Sequence, residues 1–153
     1  MLILTIRTDK PEAEIGLFNN TKKLTYKTWP AHRQLAETLL QEINHLLSSQ
    51  DCTLMQGAIL RTSKTPKTSS QGQSLQRTRV NGIVCYKGPG SFTGLRIGLT
   101  VGNTLAYGWG IPVVGGTGED WIKQGITRLL KDDNETAAMP EYGQPVHITK
   151  QKR

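Results

Sequence analysis

One stretch of this 153-residue sequence has residue types and spacing that could do chemistry: Lys87-Gly-Pro-Gly-Ser-Phe-Thr-Gly-Leu-Arg-Ile-Gly98. A glycine-rich turn feeding a helix N-terminus can cradle phosphate, because free N–H groups and the positive end of the helix dipole meet there. The spacing of Gly88, Gly90 and Gly94 fits neither the dinucleotide fingerprint nor a nucleotide loop with a lysine followed by Ser or Thr. A strand-to-helix connection without a ligand is therefore the simpler reading, and a phosphate cradle stays open beside it. Two-metal hydrolysis needs carboxylates gathered at strand ends. From Cys52 to Gly118 there is no Asp or Glu, which argues against a nuclease or other metal-dependent enzyme. His32 and His45 fall on different faces of one predicted helix, and Cys52 and Cys85 form no Cys-x-x-Cys pair. No catalytic residue, metal site or cofactor is assigned.

The elements that must position this stretch follow from hydrophobic patterning. Val80–Tyr86 has the length and β-branched content of a buried strand. Gly88-Pro89-Gly90 then makes the tight turn, and Ser91 is placed to cap a helix from Phe92 to about Tyr107. Upstream, Met1–Thr8, Glu14–Phe18 and Leu24–Thr28 read as a three-strand meander turning at Asn19-Asn20. Pro30 opens a helix with Leu35, Leu39, Ile43, Leu46 and Leu47 on one side, ending near Ser48 to Asp51. Downstream, Ile111–Gly115 is a strand. Thr117 with Asp120 starts a third helix carrying Trp121, Ile122, Ile126, Leu129 and Leu130.

On the helix after the turn, Gly94, Gly98 and Gly102 form a stripe without side chains beside Leu95 and Leu99. Each glycine costs about 1 kcal/mol of helix propensity relative to Ala, so a close approach must compensate. The protein's own sheet could be that neighbour, but three glycines in register suggest a second helix, and these five residues are the expected association surface.

Net charge is +7, and the centre of the chain carries it all. Residues 1–51 and 119–153 each hold six basic and six acidic side chains, whereas Arg61, Lys64, Lys67, Arg77, Arg79, Lys87 and Arg96 stand in the acid-free span. Such a field favours an acidic partner or RNA backbone, although a solvated basic loop accounts for it equally. Residues 61–79 contain one large apolar side chain, Leu75, and are expected to be a disordered basic insertion. Residues 135–153 are expected to be a polar tail. Nothing resembles a leader or a membrane span, so a soluble cytoplasmic protein is expected.

The unbroken string from Gly88 to Gly98 closely resembles the signature of the TsaB (YeaZ) family, which has the actin-like, sugar-kinase and Hsp70 type of ATPase fold. Met1–Ile6, Ala31-His32 and Ile111–Gly115 also resemble the family's flanking elements. The resemblance implies an α/β fold: a single ribonuclease-H-like lobe over residues 1–134, with a mixed five-stranded sheet and about three helices, the family's second lobe being largely missing. It also implies a non-catalytic subunit that binds TsaD-like and TsaE-like proteins in making threonylcarbamoyladenosine in tRNA. In the family the first two helices are where the subunit meets itself or TsaD, so a homodimer through the signature helix is a further expectation, with indirect tRNA contact through the basic insertion. Gly88, Pro89, Gly90, Ser91, Phe92, Thr93 and Arg96 would shape the signature loop. One departure bears on nucleotide binding: the family usually begins Ile-Asp-Thr, relatives that hydrolyse nucleotide use that acid near metal and phosphate, and Arg7 stands there in this chain. A stand-alone RNA-binding module remains the alternative.

Overall fold

The computed structural model describes residues 1–58 and 80–143. The expected insertion at 61–79 and the end of the chain from 144 lie outside the described residues. The elements in chain order are β1 (Leu2–Arg7), β2 (Glu12–Asn19), β3 (Lys22–Pro30), a short 3-10 turn (His32–Gln34), α1 (Leu35–Ala58), β4 (Val80–Gly88), α2 (Phe92–Trp109), β5 (Val113–Thr117) and α3 (Trp121–Leu129). They form one sheet of order β3-β2-β1-β4-β5. The meander β1–β2–β3 is antiparallel, and β4 and β5 add parallel to β1. A mixed sheet extended by parallel strand–helix units in this order is the ribonuclease-H-like arrangement expected from the sequence.

Pleat alternation shows how the helices are laid on it, because successive side chains of a strand point to opposite faces. Gly102 of α2 lies against Cys85, Ile6 and Ile83, whereas Gly125 of α3 lies against Val84 and Leu129 of α3 over Gly82. The two helices therefore cover opposite faces of β4. Helix α1 shares the α2 side: Trp29 Nε1 donates to Thr38 Oγ1 at 3.3 Å and Lys27 pairs with Glu42. Its residues Leu35, Leu39, Ile43, Leu46 and Leu47 are all buried, as their spacing predicts. The core is completed by Ile3, Leu4, Ile6, Ile15, Leu17, Ile83, Val84 and Val113.

Several boundaries differ from expectation. Pro30, read as opening the first helix, is the last residue of β3, and α1 begins at Leu35. Helix α1 runs on to Ala58 instead of stopping near Asp51. Helix α3 begins after Asp120, and Thr117, read as its cap, is the last residue of β5. A left-handed Gly118 (φ 68°) makes the turn between them, so the chain reverses before the helix starts. Leu130, read as part of the apolar stripe, lies past the last turn of α3 and is exposed.

The polar segment after Asn134 also differs, since its first part lies on the domain. Asn134 Oδ1 accepts from the Val113 N–H at 3.2 Å, and the Glu135 N–H donates to the Val113 carbonyl at 2.9 Å. This covers the outer edge of β5, which would otherwise present unpaired backbone groups. Ala138 is buried on the edge of α2. Low hydrophobicity hid this, because the attachment is made by backbone hydrogen bonds and not by apolar side chains.

Candidate functional site

The loop Gly88–Ser91 is held from beneath by the end of β4. Gly88 adopts φ 133°, a region that favours glycine, and is joined to Pro89 by a cis peptide bond. A side chain on Gly88 would also collide with the Glu141 carbonyl. The Tyr86 hydroxyl donates to the Pro89 carbonyl at 3.0 Å. Burial first, and then the charge of Asp9, push that hydroxyl above its ordinary pKa, with Arg7 opposing; it remains a donor at any physiological pH. The Ser91 N–H donates to the Asp9 carbonyl at 3.2 Å, and Gly90 lies against Asp9. Ser91 is the N-cap of α2 as expected, but its side chain makes no capping hydrogen bond.

The glycine stripe is where the structure corrects the sequence reading. Added side chains at Gly94, Gly98 and Gly102 would strike the Thr8 carbonyl, the Thr8 side chain and the Cys85 sulfur. Leu95 and Leu99 are buried with them. The close neighbour is therefore the chain's own sheet, at β4 and at Thr8 just past β1, and these five residues offer a partner no surface in this structure. Thr8 closes the contact by donating from Oγ1 to the Gly94 carbonyl at 2.7 Å. Cys85, sealed beneath α2, has its thiol pushed up to about 12 by burial, with Glu135 adding to the shift, so it is neither nucleophile nor ready metal ligand.

The exposed side of α2 carries Phe92, Arg96, Thr100 and Tyr107. Tyr107 is 92% exposed. Arg96 lies 5.1 Å from the centre of the Phe92 ring, which in turn rests on Tyr142 with centroids 4.6 Å apart. Thr93 points into a cleft of about 310 Å³ between the β1–β2 turn and the starts of α1 and α2, lined also by Asp9, Lys10, Leu35 and Ile97. The loop residues expected from the sequence are thus brought together, but on two sides. Gly88 is buried, whereas Pro89, Gly90, Ser91, Phe92, Thr93 and Arg96 are exposed, Gly90 with one side against Asp9.

A divalent cation with nucleotide phosphate does not suit these residues. Arg7 binds Asp9 with both groups engaged, Nε to Oδ1 at 2.7 Å and Nη2 to Oδ2 at 3.2 Å, and the guanidinium stands 4.1 Å from the centre of the Tyr86 ring. Asp9, the acid nearest the turn, is occupied by a fixed cation. Among the described residues no group of three His, Cys, Asp or Glu side chains is placed to share a metal. The side chain of His32 lies outside the description.

Several residues that build the loop were not anticipated from the sequence: Thr8, Asp9, Tyr86, Asn103 and Glu141. Asn103 carried a signal, since it stands on the margin of the apolar stripe of α2, where a polar amide needs a partner. Its side-chain N–H donates to the Ala138 carbonyl at 3.0 Å and its Oδ1 accepts from the Ala138 N–H at 2.8 Å.

Comparison with known proteins agrees with this arrangement. A family model described as "TsaD: tRNA N6-adenosine threonylcarbamoyltransferase" matches residues 70–116, the region of β4, the loop, α2 and the start of β5. The tRNA threonylcarbamoyladenosine biosynthesis protein TsaB of Escherichia coli K12 is 38% identical over 68 residues, covering 40% of this chain and 29% of that protein. Two structures from Pseudomonas aeruginosa share the fold: YeaZ at a TM-score of 0.55 and a protein with similarity to peptidase YEAZ at 0.56, each 22% identical, covering 76% of this chain and 43% of theirs. The chain thus spans less than half the length of the relatives it matches. The unbroken string Gly88–Gly98 lies inside the residues that the family model matches, and the chain is similar in sequence to TsaB and in fold to YeaZ.

Proposed function

We propose that this chain acts in threonylcarbamoyladenosine formation in tRNA as a non-catalytic scaffold, binding a TsaD-like enzyme and a TsaE-like ATPase in the cytoplasm. The observation that carries the reading is the family-model match over residues 70–116, which include the signature loop and α2, beside the 38% identity to TsaB over 68 residues. The Arg7–Asp9 pair supports a non-catalytic role, because it places a cation where metal-dependent relatives need free carboxylates. Since the glycine stripe is buried, association falls to the outer sides of the first two helices. There Tyr107, Phe92 and Arg96 of α2 and Leu40 of α1 are exposed. An exposed aromatic beside an arginine is the composition that interface cores favour. The same surface would serve a homodimer. Among the described residues no helix is long and apolar enough to cross a membrane.

The test is a pull-down of the tagged chain from its own cell extract. Recovery of a TsaD-like protein supports the scaffold. Salt-sensitive tRNA binding by the chain alone, with no such partner, would replace it with an RNA-binding module acting through the basic central span. Magnesium-dependent cleavage of nucleic acid would replace it with an enzyme.

A further inference from the structure

The segment that folds back over the loop is attached very differently at its two ends. At the inner end Ala138 is 1% exposed and both its backbone polar groups are taken by the Asn103 side chain. Just upstream, Asn134 and Glu135 are hydrogen-bonded along β5. The outer end, Met139–Gly143, lies on the signature loop. The Glu141 N–H donates to the Lys87 carbonyl at 2.6 Å, Lys87 Nζ pairs with the Glu141 carboxylate at 2.9 Å, and Tyr142 rests on Phe92. Yet Met139 is 69% exposed and Phe92 54% exposed, and the Glu141 side chain is mostly in solvent. Exposed ion pairs and half-exposed rings contribute little against the entropy of ordering a backbone segment. Segments tied down in this way open locally, well before the domain unfolds. What they cover is specific: the Glu141 carbonyl fills the space beside Gly88, and Gly143 lies against Pro89.

We propose that Met139–Gly143 is a latch over Gly88 and the flank of Pro89. It is hinged at the Asn103–Ala138 anchor and exchanges between a closed state that covers Gly88 and an open state that bares it while the domain stays folded. Access to Gly88 and to the Phe92 face under Tyr142 is then set by Met139–Gly143. This inference does not rest on the subunit role proposed above, since it concerns the chain by itself.

Amide hydrogen exchange on the full chain, read residue by residue by NMR, tests it. The Glu141 amide should be protected, but at least about tenfold less than the Ala138 amide, as for a segment that opens locally. Molar salt should lower the Glu141 protection and leave Ala138 unchanged, because the Lys87–Glu141 pair is exposed to screening. The double substitution Glu141→Gln/Tyr142→Ala should reduce protection at position 141 about tenfold more with no change in thermal midpoint, whereas Asn103→Ala should release both amides together. One shared protection factor for Ala138 and Glu141, equal to that of global unfolding, would overturn the latch by making the segment a fixed part of the core. An unprotected Glu141 amide in the unmodified chain would overturn it from the other side, by removing the closed state.

Discussion

On α2 the side turned to the sheet carries Gly94, Gly98 and Gly102, and the side turned to solvent carries Phe92, Arg96, Thr100 and Tyr107. The glycine stripe of the first side has no side-chain volume and is entirely buried, with Leu95 and Leu99 beside it. The second is large, aromatic and cationic, and it is open. Close packing by backbone and recognition by side chains thus occupy opposite faces of one helix. A glycine stripe reports that something comes close, and the neighbour here is Thr8 and Cys85 of the same chain. A surface offered to another molecule must instead project atoms beyond the backbone, as Tyr107 does.

The comparison can be broken most severely at its buried side. Leu95→Ala should cost about 2–5 kcal/mol, the usual range for truncating a fully buried leucine, read from the midpoint of denaturant unfolding. A loss within about 0.5 kcal/mol, as at an ordinary surface position, would mean that α2 does not sit on the sheet as described. Gly98→Leu comes next, with roughly 1–3 kcal/mol or more expected from overpacking against Thr8 and from losing the Thr8–Gly94 hydrogen bond. Thermal stability and sedimentation should be measured together, since a mutant that stays stable but no longer associates would return the stripe to a partner.

At the inner side of the loop, Arg7→Leu should destabilise by about 1–3 kcal/mol, because Asp9 is left buried without its partner. The double variant Arg7→Leu/Asp9→Leu should recover much of that loss, so a double-mutant cycle showing simple additivity would deny that the two side chains act as a pair. The smallest effect on folding belongs to the outer face. Tyr107→Ser should change stability by no more than about 0.5 kcal/mol while weakening association with a partner or a second copy. Unchanged association in sedimentation or pull-down would move the interface off this face.

Much of the architecture was legible in the sequence because it depends on local periodicity. The strand-like stretches Met1–Thr8 and Glu14–Phe18, the continuous apolar run of Val80–Tyr86 and the leucines of α1 and α2 are short-range patterns, and each became the element it predicts. The signature string likewise marked the turn, and the likeness to TsaB proteins, before any coordinates.

What only the tertiary structure decided is which partner each pattern meets. Gly98 reads the same whether a sheet or a foreign helix approaches it, and the choice was made by Thr8, ninety positions away in the chain. Arg7 reads as an unpaired cation at an acid's position until the β1–β2 turn brings Asp9 and the Tyr86 ring to it. Met139–Gly143 reads as a polar end because its attachment depends on backbone groups, which every residue but proline carries in full and which leave no trace in side-chain type. Side-chain pattern determined the elements of this protein, while the fold alone determined their contacts, because those contacts depend on distances that no local window of sequence contains.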